Sequence, residues 1–162
     1  ASPWGLGGIL VKDGVTHSYV LSRLSAYDLR IHKQRMGDAA GQQVWACLSI
    51  LVALTVWKEE WSSKRCEVRV KSDNYSALAM GSRMKIRASP LIAKEIALLY
   101  SEAAHEPRIF EHVPGIANIL ADALSRAFEP GTDKELPPQL SGAKEVHVAR
   151  RRRSWYKTLA TQ

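Results

Sequence analysis

Cysteine is scarce in this chain. The two that occur, Cys47 and Cys66, lie apart and belong to no Cys-x-x-Cys or mixed Cys/His array. That excludes a disulfide framework and argues against a zinc site, so a reducing, intracellular setting is expected, cytoplasm or nucleus alike. Long apolar runs are missing too. The longest, Val44 to Trp57, is closed by Lys58, short of the roughly 20 residues of a membrane span. A soluble protein with no membrane partner is therefore expected. The opening Ser2-Pro3-Trp4-Gly5-Leu6-Gly7-Gly8 has neither the charged start nor the long apolar middle of a signal peptide. With Ala1 in first place, the chain reads as an internal fragment. Acidic residues are in deficit, giving a formal net charge of +7. Between Lys144 and Lys157, six Lys/Arg against one Glu make +5 of it. A polyanionic partner met mainly by the C-terminal segment follows.

What is present suffices for one core. With 46% apolar residues over 162 positions, the chain supports a single domain rather than two. Ile9-Leu10-Val11 and Val15 to Leu21, joined by Asp13-Gly14, read as a hairpin. The polar stretch Ser25 to Gly41 leaves room for a third strand around Tyr27 to Ile31 and a turn at Gly37-Asp38. Gln42 to Trp61 has no proline or glycine and is apolar on nearly every face. It predicts a helix buried on most sides, with Trp45, Trp57 and Trp61 in the interior.

Alternation at Cys66, Val68 and Val70 predicts a strand, and Ser72-Asp73-Asn74 supplies turn and cap chemistry for a short helix over Tyr75 to Met80. After a basic connector with Arg83, Lys85 and Arg87, Pro90 opens a helix through Ala104, with Ile92, Ile96 and Leu99 facing the core. Arg108 to Val113 reads as a strand ended by Pro114-Gly115, and Asn118 to Phe128 as a helix. Beyond Pro130 the pattern decays. Residues 130–162, with the run Arg150 to Arg153, read as a basic flexible tail on a domain of residues 1–129, although Trp155 and Tyr156 offer docking groups. The fold class is α/β, a mixed sheet flanked by helices, with antiparallel opening hairpins.

Three segments carry more specific information: Ala1 to Gly8; Val70-Lys71-Ser72-Asp73-Asn74-Tyr75-Ser76-Ala77-Leu78; and His112-Val113-Pro114-Gly115-Ile116-Ala117-Asn118-Ile119-Leu120-Ala121-Asp122-Ala123-Leu124-Ser125-Arg126. Together they resemble the ribonuclease H-like domain of gypsy-like and related retroelement polyproteins, over about residues 1–129. The resemblance implies a ribonuclease H-like sheet and cleavage of the RNA strand of RNA–DNA hybrids. It also implies an adjacent reverse transcriptase domain in the parent polyprotein. Catalysis in that family uses two divalent cations, Mg²⁺ or Mn²⁺, held between carboxylates, because hard ions prefer oxygen ligands.

By motif position, Asp73 and Asp122 are the catalytic, metal-ligating acids. Each has a plainer reading: Asp73 as cap of the following helix, Asp122 as an i+4 partner of Arg126. The family's first-strand Asp would directly precede Ala1. Its helix Glu would fall at Ala46, and Glu59 and Glu60 lie more than three turns further on, at about 1.5 Å per residue. The acidic set is thus incomplete, and cleavage by this copy is expected to be impaired. The alternative is a non-catalytic nucleic-acid-binding or structural module built on the same fold; a decayed element without selected function is the third reading.

Arg83, Lys85, Arg87, Arg150, Arg151, Arg152 and Arg153 are the candidate nucleic-acid contacts. For the first three a solvated connector is the plainer reading. His112, on the strand, is expected to be structural or merely polar. Gly7-Gly8 marks either a bulge or the close approach of a nucleic-acid strand or neighbouring element.

Overall fold

In the computed structural model the described residues are 1–63, 66–82, 89–113, 118–131 and 135–160. The chain opens with the expected hairpin, β1 (Gly5–Lys12) paired antiparallel with β2 (Val15–Arg23). Asp13 and Gly14 turn it with φ of 50° and 78°. Positive φ at both turn positions matches the right-handed twist of the strands, and Asp-Gly tolerates it best. The bulge lies at Leu10/Val11, not at the glycine pair.

The strand expected around Tyr27 to Ile31 is instead a helix, α1 (Ala26–Ile31). Local hydrogen bonding explains the difference. The Ser25 hydroxyl accepts from the Asp28 N–H at 3.0 Å, and the Asp28 carboxylate accepts from the Ser25 N–H at 2.9 Å. This reciprocal cap satisfies two backbone donors that a helix start leaves open. The turn at Gly37-Asp38 is present, with Gly37 at φ 80° and Asp38 capping a short 3-10 turn, Ala39–Gly41.

The long apolar helix is broken at Trp57 into α2 (Gln42–Val56) and α3 (Lys58–Trp61). Trp45, Trp57 and Trp61 are all buried, as expected. The stretch Ala39–Val56 is long and apolar enough to cross a membrane by length and composition, with mean hydropathy 1.6, and half of it is buried inside the protein. Here α2 is the central core helix, packed against β1 and two later helices. Burial pushes the Cys47 thiol up to about 11, which makes it an inert core group.

Next come β3 (Arg69–Ser72), α4 (Tyr75–Gly81), α5 (Pro90–Ser101), β4 (Ile109–His112) and α6 (Ile119–Ser125). β3 and β4 pair in parallel, Arg69 opposite Ile109 through Ser72 opposite His112. Ile92, Ile96 and Leu99 face the core from α5.

The described part of the C-terminal segment packs onto these elements. Lys144–Glu145 forms β5, parallel to β2, which makes the first sheet mixed in the order β1-β2-β5. Leu140 and Tyr156 are fully buried. The last described helix, α7 (Lys157–Ala160), is capped by the buried Glu95 of α5, which accepts from the Lys157 and Thr158 N–H groups at 3.2 and 2.8 Å. The architecture is therefore α/β, with α2 and α6 laid against the opening hairpin.

Candidate functional site

The start of β1 is a meeting point, and the glycines there explain how. A Cβ on Gly7 would lie 2.5 Å from the Ala121 carbonyl oxygen and 2.6 Å from the Leu124 Cβ; one on Gly5 would lie 2.9 Å from the Ser125 oxygen. Only glycine admits α6 this close to the strand. The approach expected at Gly7 is thus made by a neighbouring helix. The buried Ser2 hydroxyl completes the clamp, donating to the Ser125 carbonyl at 2.7 Å. Asp122, one turn before Ser125, is thereby brought beside the first residues of the chain.

From the other side, the Gln42 amide of α2 donates to the Ala1 carbonyl at 2.8 Å. Ala46 lies one turn further along the same helix face. Its side chain is only 5% exposed and belongs to the core. Where the resemblance implies a carboxylate, the interior is closed by a methyl group.

Asp73 follows the end of β3. The cap of α4 is its neighbour Asn74, whose side-chain oxygen accepts from the Ala77 N–H at 2.9 Å. The plainer reading of Asp73 as the cap is therefore replaced by Asn74. Asp73 and Asp122 both act on the Ala1 amino group. Burial lowers the pKa of that amine most; the two carboxylates push it back up, and Arg126 lowers it again.

Asp122 also makes the expected i+4 pair, its carboxylate 3.1 Å from the Arg126 Nε. Half-exposed pairs of this kind contribute only about 0.3–0.5 kcal/mol. Glu60 pairs with Lys12, at the far end of β1. That is about 23 Å from Gly5 at about 3.3 Å per residue, so Glu60 cannot join the acids at the head of the strand.

His112 stacks on Tyr75, ring centroids 4.0 Å apart and planes 2° from parallel, and its Nε2 lies 3.2 Å from the Asp73 carbonyl oxygen. A cleft of about 900 Å³ opens at the opposite, amino-terminal ends of β3 and β4, among Cys66, Tyr100, His105, Glu106 and Arg108; neither Asp73 nor Asp122 lines it. Among the described residues no three His, Cys, Asp or Glu side chains converge as metal ligands.

The basic candidates divide. Arg83, Lys85 and Arg87, like the Pro114 to Ala117 turn, lie outside the described residues. Arg150, Arg152 and Arg153 are exposed. Arg151, expected among the phosphate contacts, is 1% exposed and ion-paired to Asp28. A guanidinium closed to solvent offers nothing to a phosphate.

Around that pair lies a network sequence reasoning missed. The Tyr156 hydroxyl donates to Asp28 at 2.6 Å and sits 3.2 Å from the His32 Nε2. Burial, then the Asp28 charge, drive the Tyr156 pKa far up, so this phenol stays protonated. Burial also lowers the His32 pKa, against the opposing pull of Asp28. The one local signal was Ser25-x-x-Asp28, a helix-start pattern. No family model, curated protein or solved structure matches the chain.

Proposed function

We propose that this chain is a ribonuclease H-like domain of a retrotransposon reverse transcriptase, whose ancestral activity is cleavage of the RNA strand of RNA–DNA hybrids, and that this copy is impaired. The observation that carries the reading is the packing of α6, which bears Asp122, against the head of β1, where Ser2 holds Ser125 and Gln42 of α2 holds Ala1 one turn from Ala46. Two of the segments that carry the resemblance, the start of the chain and the Asp122 helix, lie against each other there, which supports the reading.

The donor set does not fit a metal pair. Two carboxylates remain, one of them shared with Arg126, and Ala46 offers no oxygen. Hard cations take six or more oxygen ligands, and ions held mostly by water are not fixed at a working spacing of roughly 3.5–4 Å. What the chain's own residues supply is an acidic surface at the head of β1 and exposed arginines at positions 150, 152 and 153.

A second reading, a non-catalytic module that binds hybrids or spaces a neighbouring polymerase, is favoured by the burial of Ala46 in the core. Hydrolysis of a labelled RNA–DNA hybrid, with and without Mg²⁺ or Mn²⁺, separates the two. The unmodified chain is expected to be inert. Ala46→Glu combined with an Asp placed before Ala1 is expected to restore metal-dependent cleavage. Clear cleavage by the unmodified chain would overturn the impairment, and an inert but folded double variant would favour the non-catalytic module.

A further inference from the structure

Tyr75 is a large aromatic left 71% exposed at the first position of α4, yet its ring is not free to wander. His112 covers one face in parallel stacking at 4.0 Å, and His112 is itself tied to the Asp73 carbonyl. The backbone under Tyr75 is fixed by the Asn74 cap. One face of a flat ring is thus backed and held while the other is open to solvent. A side chain ordered before binding loses less freedom when a ligand arrives.

The position is informative as well. β3 and β4 are parallel and both end here, at Ser72 and His112. Ligands of open α/β sheets bind outside the carboxyl ends of the strands. The cations nearest in sequence, Arg69 and Lys71, are engaged with Glu67 and Glu111. Among the described residues, recognition at this point therefore falls to the ring; Arg83, Lys85 and Arg87 lie outside them. Under the nucleic-acid reading proposed above, the flat group such a ring takes is a nucleobase.

We propose that the open face of Tyr75, backed by His112, is a stacking platform for a nucleobase of a single-stranded nucleic-acid segment crossing the carboxyl ends of β3 and β4. This rests on the nucleic-acid reading above and adds to it a contact that does not use the acids. Every base has a π-face, so the platform is indifferent to sequence.

Fluorescence anisotropy of a labelled single-stranded oligoribonucleotide against the full chain tests it, with a labelled RNA–DNA hybrid measured in parallel. Tyr75→Ala is expected to weaken single-strand binding roughly five- to hundred-fold, the range for loss of one stacked base. Tyr75→Phe is expected to bind like the unmodified chain, and His112→Ala to lie between. Tyr75 is exposed, so its variants should keep the thermal midpoint of the unmodified chain by circular dichroism. Unchanged single-strand affinity in Tyr75→Ala overturns the platform and leaves the hybrid reading standing. A loss as large in Tyr75→Phe assigns the contact to the hydroxyl and also overturns stacking. Failure of the unmodified chain to bind either probe overturns both proposals.

Discussion

Arg151 and Asp28, 123 positions apart in sequence, form an ion pair with both side chains closed to solvent, Nη2 to Oδ2 at 2.8 Å. Every guanidinium nitrogen is engaged: Nε reaches both carboxylate oxygens at 3.2 and 2.9 Å, Nη1 donates to the Ser22 hydroxyl at 2.7 Å, and Nη2 donates to the Arg23 carbonyl at 3.1 Å. Asp28 also accepts from the Ser25 N–H and the Tyr156 hydroxyl. Removing two charges from water is costly, and only this degree of hydrogen bonding offsets it.

Arg151→Met is therefore expected to lose about 3–5 kcal/mol, because it strands a buried carboxylate without a counter-charge. The shift in urea midpoint measures it. Adding Asp28→Asn should recover much of the loss, since the stranded charge is then gone. A Met variant as stable as the unmodified chain would mean that Arg151 is solvated in solution.

His32 makes stability pH-dependent. Its folded pKa lies below the ordinary value of 6.5, so between the two values the unfolded chain binds more protons. Its contribution is then complete above about pH 6.5 and is lost as pH falls toward the folded value, by up to about 1.4 kcal/mol per pH unit. Urea denaturation from pH 7.5 down to pH 5 should show a fall that is shallower in His32→Gln. Parallel curves would sink the assignment.

Gly7→Ala is expected to push α6 off β1, since the new methyl would sit 2.5 Å from the Ala121 carbonyl. Overpacking of this kind costs about 1–3 kcal/mol, visible as a lower thermal midpoint. Gly14→Ala places its methyl in open space but at φ 78°, so it should cost only the backbone strain, of order 1–2 kcal/mol. Equal losses at both glycines would argue against the helix clamp.

The exposed arginines should govern non-specific nucleic-acid binding. Replacing Arg150, Arg152 and Arg153 with Gln is expected to lower the slope of log affinity against log salt by about 0.9 for each duplex phosphate that is no longer neutralised. Arg151→Gln should instead change the unfolding midpoint. An unchanged slope in the triple variant would show that the polyanion is met elsewhere.

Much of the fold was legible because its signals are local. Asp13-Gly14 favours a hairpin, Pro90 opens α5, and the apolar density of Gln42 to Trp61 predicts a buried helix, which the structure breaks at Trp57. The motifs around Asp73 and Asp122 likewise stand out from the sequence alone. Tertiary structure decided the rest. The helix over Tyr27 to Ile31 has a local signal in Ser25-x-x-Asp28, but the pairing of Asp28 with an arginine far along the chain has none. A run of four arginines looks uniformly basic in sequence, yet packing buried Arg151 and left its neighbours in water. Asn74 took the cap that Asp73 could have made, and Gly7 was spent on α6. Patterns set by a few adjacent residues carry their own energetics. A partner at long range contributes energy only once the chain has closed the loop between them, which no local pattern records.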